Sequence, residues 1–465
     1  SIRHLEKNFR IISKEMRTSV LDGLFGMLLV ALEIVVIFVY GFYFNHVNEG
    51  DSFGVLVQKV SEYFPYFQDL HILVFVGFAL LLTSYHRFRI SSMVQCFWVC
   101  ALSVQIYFLW RSFWYERFEK EGVFYNKHFF IDPAILIRSD LCALAMLIAT
   151  TATAGKANDI QVLVLVILGV GFYSLNETVC LSKVSANAID IGGSMIVHTF
   201  GAFYGLGASM MLRYNNISFS KPSAPTSFQH QIVTLIGTLF IWCFWPSYNC
   251  ALVASETDTF RAILNTYFAL ISSVVFSFAT SKLIIGGGKF SMYHVFHASL
   301  SGGVVMAASA GFVKDGYAAY LVGALVGIIS TFCIHVLNPM LERMNMTSNI
   351  PHICLHAIPG LLGGFLSAIW VKAYTNMRAG NQVGATFISL GIGLFAGAIV
   401  GLIIKPLHND EQNEQYQGFA PIALEETEEE VLRVSPVTVE VPQPAAPANV
   451  YTEANPQPEH QELKP

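Results

Sequence analysis

Twelve apolar runs divide this chain, near residues 21–44, 69–85, 92–113, 133–153, 160–180, 187–212, 229–252, 263–281, 290–312, 316–337, 351–373 and 383–404. Most approach the roughly 20 residues that cross a bilayer as a helix. A helix satisfies its own backbone hydrogen bonds in lipid, so the pattern predicts an all-α polytopic membrane protein. An even number of spans puts both termini on one side. Arg3, Lys7, Arg10, Lys14 and Arg17 precede the first run, whereas the loop 45–67 carries only Lys59. An excess of positive charge marks the cytoplasmic side, so both termini are expected there. The second run is short, and the eleventh opens with Pro351 and His352.

Polar residues inside such runs carry more information than the runs themselves. His198 lies within 188–212 and His356 within 353–371. A charged residue at bilayer depth costs roughly 2.5–3.5 kcal/mol on insertion scales, so ionisable groups there face a pathway or a partner. His198 is about 16 Å along its span at 1.5 Å per residue, close to the midplane. His356 follows Asn349-Ile350-Pro351 closely. A residue before proline favours extended geometry, so this stretch is expected to enter the membrane extended, with the helix starting beside His356. Glycine follows both histidines, at Gly201 and Gly360, and a shared site is the reading that unites them. His294, His297 and His335 also sit in apolar stretches and compete for the same role.

Asp190 stands eight residues before His198, about two turns up the same face if the helix is continuous. A hydrogen-bonded structural acid is the simpler reading, and a contribution to a cation route the alternative. Asp140 is similarly placed in another span. Gly393, Gly397 and Gly401 form a small-residue stripe, and Gly201, Gly205 and Gly207 another, as expected where helix backbones approach closely in lipid.

Composition agrees: 54% hydrophobic and 13% charged, against about 25% charged in a soluble domain. No basic stripe accompanies the aromatics, so nucleic acid is not an expected partner. The eight cysteines fall in or beside apolar segments, which argues against a disulfide framework or a zinc site. No pairing of nucleophile with base suggests an enzyme, and no cofactor is implied. Three regions emerge: a cytoplasmic N-terminal segment 1–20, a membrane domain 21–405, and a tail 406–465. The tail is acidic, then rich in Pro, Ala and Gln, and is expected to be disordered.

Four motifs, "DIGGSMIVHTFGAFYGLG" (190–207), "GTLFIWCFWPSYNCA" (237–251), "GKFSMYHVFHASLSGGV" (288–304) and "LHAIPGLLGG" (355–364), in this order on twelve spans, resemble the Rhesus branch of the Amt/Mep/Rh ammonium transporter family. The likeness covers about residues 20 to 405. It implies an inverted-repeat core and a homotrimer in the plasma membrane, with one hydrophobic pore per subunit. By the same resemblance His198 and His356 match the family's pore histidines and Asp190 its characteristic acid. Glu177 matches an outer-vestibule acid, allowing a two-residue insertion, and Glu342 an inner one. Where relatives stack two phenylalanines above the pore, this chain is expected to have Thr150 and Tyr248, giving a more open gate. Ser291 and "NIPHIC" (349–354) also depart from the family pattern.

The resemblance implies ammonium or ammonia as the transported species, with methylammonium or carbon dioxide as further candidates, and membrane lipid as surroundings. On this expectation ammonium gathers at the vestibule, loses its proton and crosses as ammonia past the histidine pair. The rival readings are a non-conducting structural subunit and a carbon dioxide channel.

Overall fold

A computed structural model of the chain describes residues 2–45, 53–84, 89–119, 129–182, 186–212, 228–285, 287–344, 352–375 and 377–407. The chain divides into a unit over Ser1–Pro421 and a second over Ile422–Pro465. The second unit, and with it most of the tail expected at 406–465, lies outside the described residues.

The helices in chain order are α1 (Ile2–Tyr43), α2 (Phe53–Ile72), α3 (Phe78–Leu81), α4 (Arg89–Glu119), α5 (Pro133–Thr153), α6 (Asp159–Leu181) and α7 (Phe200–Met211). They continue with α8 (Phe228–Cys250), α9 (Glu256–Ile285), α10 (Met292–Ala298), α11 (Ser301–Met306), α12 (Gly316–Arg343), α13 (Ile358–Tyr374) and α14 (Ala379–Ile404). A pair of two-residue parallel strands, β1 (Phe44–Asn45) and β2 (Phe129–Phe130), is the only sheet among the described residues. Ten helical stretches among the described residues are long and apolar enough to cross a membrane. The remaining two expected spans, 187–212 and 290–312, are interrupted. The first is non-helical until Ser194, and the second divides into α10 and α11.

Three boundaries differ from the sequence reading. The loop expected at 45–67 is largely helix: α2 starts at Phe53 and continues through a π-turn (Leu73–Gly77), α3 and a final 3-10 turn to Ser84. The polar residues Gln58, Ser61 and Glu62 masked the apolar face that this longer helix turns inward. The helix of the basic N-terminal segment is continuous with the first span, since α1 begins at Ile2. The stretch before His356 is not extended up to the ring, because helical geometry already starts at His352, four residues earlier. Residues 345–351 lie outside the described set.

The interior is polar for a core and the surface apolar, as lipid requires. Val30, Ile37 and Phe38 on α1 and Leu321, Leu325 and Phe332 on α12 are exposed, whereas Asp140, Gln161, Asn176, His198 and Gln382 are buried. With little hydrophobic gain from helix association in lipid, close backbone packing must hold the bundle. The glycine stripes supply it. Along α14, Gly393, Gly397 and Gly401 meet the backbone at Phe200, Tyr204 and Ala208 of α7, and Gly201 and Gly205 of α7 meet Ala145 and Ala149 of α5. A Cβ on Gly401 would lie 2.8 Å from the Ala208 carbonyl oxygen, and one on Gly201 2.7 Å from that of Ala145. Helix α7 is thereby wedged between its neighbours.

The start of the helical stretch leading into α7 is fixed by Asp190. Gly193 adopts a left-handed conformation (φ 75°) that non-glycine residues reach only at roughly 1–2 kcal/mol. This turn lets the Asp190 side chain fold back so that Oδ2 accepts the backbone N–H groups of Met195 (2.8 Å) and Ile196 (2.7 Å). A helix end in lipid has no water for its free N–H groups, so such a cap is worth more than at a surface. The same end is tied across the bundle by Ser194, whose hydroxyl donates to the Val304 carbonyl and accepts from the Ala308 N–H. Gln382 of α14 exchanges two hydrogen bonds with the Ile189 backbone, at 2.7 and 2.8 Å.

Two outcomes are expected from this packing. Gly397→Leu drives a side chain into the Tyr204 carbonyl and should cost about 1–3 kcal/mol or more by overpacking, lowering the thermal unfolding midpoint of the detergent-solubilised protein. Gly391→Leu on the same helix, where nothing lies within 4 Å, should leave it unchanged. Asp190→Ala strands two buried N–H groups and should destabilise by about 1–3 kcal/mol, with Asp190→Asn milder because its carbonyl still accepts; equal midpoints for wild type and Asp190→Ala would refute the capping role.

Candidate functional site

The two histidines singled out in the sequence reach each other through one local device used twice. His198 is the fifth residue of a six-residue π-turn, Ser194–Thr199, that leads into α7. His356 is the fifth residue of a second six-residue π-turn, His352–Ala357, that leads into α13. A π-turn inserts one extra residue, re-aims the side chains around it, and recurs at functional sites. Both turns are fully buried. Glycines on α13 then let the two segments close on each other: a Cβ on Gly360 would lie 2.7 Å from the Ser194 carbonyl oxygen, and one on Gly363 2.7 Å from the Ser194 hydroxyl.

The resulting contact is direct. Nδ1 of His198 is 3.1 Å from Nδ1 of His356, and the rings lie within 9° of parallel with centroids 5.1 Å apart. Trp245 stacks on His198 at 6.0 Å and 23°, and Phe78 on His356 at 5.9 Å and 28°. The pair is thus closed by an aromatic ring at either side. On the far edge of His198, Nε2 is 3.4 Å from the Tyr248 hydroxyl, a long hydrogen bond.

This geometry restricts the protons. Two Nδ1 atoms can share a hydrogen bond only if one carries the hydrogen and the other does not, so the neutral rings must adopt opposite tautomers. If the Tyr248 hydroxyl donates to Nε2 of His198, then His198 Nδ1–H donates to His356 and the His356 Nε2–H is left as a donor. Reversal of the Tyr248 hydroxyl reverses the whole series. The pair is a short, orientable line of donors and acceptors between apolar walls.

The remaining candidates fall elsewhere. Asp190 is not two turns up the face of His198, because residues 186–193 are not helical; it is the cap described above, with Oδ1 buried and unpaired. Glu177, expected as an outer-vestibule acid, is 1% exposed. It accepts from the Tyr107 hydroxyl (2.8 Å) and the Arg138 guanidinium (2.9 Å), with Arg111 at 4.0 Å. Two guanidiniums around one carboxylate leave this cluster formally positive, so Glu177 offers a cation no unspent charge. The sequence reading missed Arg111 and Arg138 because they lie on different helices from Glu177.

Thr150 does not join Tyr248 at a gate. Its hydroxyl donates to the Leu147 carbonyl on α5. Gly201 packs at the level of Ala145, which places Thr150 more than one turn beyond the pair toward the C-terminal end of α5, while Tyr248 is on the opposite side of His198. Glu342 is near the end of α12, and its side chain is outside the described residues. Asp140 is buried against His71, with Oδ2 3.0 Å from Nδ1. Of the competing histidines, His294 bonds Ser281 (3.0 Å) and faces His335, and His297 bonds Ser84 (3.3 Å); none hydrogen-bonds to either ring of the central pair. Phe78 gave no sequence signal, whereas Trp245 sits in the WPSYN motif.

Known proteins share this architecture. The model of the Ammonium Transporter Family matches residues 26–418. An ammonium transporter Rh type C-like 2 of Danio rerio is 32% identical over 419 residues, covering 82% of this chain and 84% of that protein. An ammonium transporter Rh type A of Bos taurus is 30% identical over 395 residues, covering 82% and 90%. Among solved structures, Rh50 of Nitrosomonas europaea superposes with a TM-score of 0.68 at 26% identity, over 81% of this chain and 97% of Rh50. Candida albicans Mep2 shares the fold, with a TM-score of 0.64 at 15% identity over 80% and 92%. This multi-pass membrane protein belongs to the ammonium transporter family, in its Rhesus branch.

Proposed function

We propose that the chain conducts ammonia across a membrane through a pore built around His198 and His356. The observation that carries this reading is the 3.1 Å contact between two fully buried imidazoles brought from opposite parts of the sequence. A bare cation moved into such surroundings faces an idealised desolvation penalty of tens of kcal/mol. Neutral ammonia does not. Ammonium therefore gives up its proton to bulk water on the entry side before the pair, and ammonia passes along ring nitrogens that can both donate to it and accept from it. Tyr248, at the outer edge of His198, offers the first hydroxyl on this line. The family's relatives are named as transporters, and no enzymatic step is invoked.

Recruitment does not run through Glu177, whose charge its arginines already offset. The unpaired Asp190 Oδ1, close to the N-terminal end of the π-turn of His198, is the buried acceptor best placed to favour a positive charge nearby. The assembly is a homotrimer in the plasma membrane with both termini cytoplasmic. Cross-linking in native membranes and protease accessibility of the tail test those two points.

In proteoliposomes exposed to an ammonium gradient, wild type should raise internal pH quickly. His198→Ala or His356→Ala should slow this by about ten-fold or more, the loss of roughly 1.4 kcal/mol from a rate-determining passage. Tyr248→Phe should slow it about two- to five-fold, the worth of one hydrogen bond. Recording current with pH separates passage of the neutral gas, which is silent, from net movement of charge. Unchanged flux in both histidine variants would refute the assignment, and absence of flux in wild type would favour a non-conducting structural subunit.

A further inference from the structure

At the end of the bundle holding Ser84 and the start of α10, opposite the Glu177 cluster, lies a cavity of about 390 Å³, lined among others by Ser84, Thr234, Ser291, Tyr293 and Phe296. Ser84 and His297 are both buried, at 4% and 1% exposure, and the Ser84 hydroxyl is 3.3 Å from Nε2 of His297. The second ring nitrogen, Nδ1, is buried with no hydrogen-bond partner among the described residues. Buried polar side chains are nearly always paired, and leaving one unmade is costly. Such an atom asks for an explanation in a site.

Its position supplies one. Helix α10 packs against the π-turn His352–Ala357 that carries His356, which puts His297 on an element adjoining the central pair. Of the other two histidines that competed for the pore role, His335 is exposed and His294 engages Ser281. His297 alone among the three joins a deep, unfilled ring nitrogen to a hydroxyl that borders the cavity.

We infer that His297 and Ser84 form a second binding station, for a small neutral molecule that both donates and accepts hydrogen bonds, between the His198–His356 pair and this cavity. The inference rests on the conduction reading above, and ammonia is the occupant it names; water shares the chemistry. The tautomers permit it. When the Ser84 hydroxyl donates to Nε2, Nδ1 carries the hydrogen and donates to the lone pair of ammonia. When Nε2–H donates to Ser84, Nδ1 accepts one of ammonia's hydrogens. Either way ammonia leaving the pair meets a partner before the cavity.

Stopped-flow alkalinisation of proteoliposomes tests this, using full-length variants that elute as wild type on gel filtration. His297→Leu should reduce ammonia flux about five-fold, as expected for one lost hydrogen bond at a rate-limiting position, while His297→Gln, which keeps a donor and an acceptor, should retain most of it. Ser84→Ala leaves the ring in place and should reduce flux about two-fold; it serves as the independent arm if His297→Leu does not fold. Wild-type flux in His297→Leu or, failing that variant, in Ser84→Ala overturns the station. So does equal loss in His297→Leu and His297→Gln, which would mean that ring packing alone matters. Osmotic water permeability is measured on the same vesicles: a fall in water permeation with ammonia flux intact also overturns it. Absence of flux in wild type rejects the conduction reading instead, before any variant is compared.

Discussion

A hydrogen bond between two buried imidazoles is the constraint around which this molecule is built. Each ring must stay neutral, take the tautomer complementary to the other, and be held to within tenths of an ångström by helices that are distant in sequence. None of this is available from one segment alone. It requires two helix starts at the same depth, each with its backbone hydrogen bonds satisfied, and two backbones close enough for short side chains to touch.

The polar groups of the core serve that requirement. Asp190 caps the stretch leading into α7, Ser194 stitches it to the segment around Val304 and Ala308, and Gln382 clamps the chain just before it. In a soluble protein water would satisfy such groups at modest cost. In lipid the alternative is an unmade hydrogen bond, so these side chains fix where the helix begins. Glycine then sets how near the neighbours come, with Gly360 and Gly363 bringing the second histidine segment onto Ser194.

Charges are arranged to be spent locally. Glu177 is held by Arg138 and Tyr107, and Asp140 by His71. A buried acid with a partner of its own is committed to that partner more than to the attraction of a distant ion, since removing the partner would strand the acid. The arginines change what a carboxylate at position 177 can do, even though the carboxylate itself is retained. Residue identity at a motif position is therefore an incomplete guide to role.

Length and polarity of the apolar runs were enough to read an all-helical membrane protein, because a bilayer permits so few solutions for an unpaired backbone. The glycine stripes and the two histidines were legible for the same reason, each being improbable in lipid without a purpose. Where helical spacing failed, non-helical or non-local structure had intervened. Asp190 looked two turns from His198 until a left-handed Gly193 folded it into a cap, and the helix before His356 started earlier than Pro351 suggested. Glu177 reads as a vestibule acid, but arginines from two other helices close on it, and Thr150 lies on the other side of the pair from Tyr248. Phe78 and Ser84 emerged only from packing. The chain by itself determined which residues are too costly in a membrane to be accidental; which of them meet, and what each then has left to offer, was decided by contacts between distant helices that no local pattern encodes.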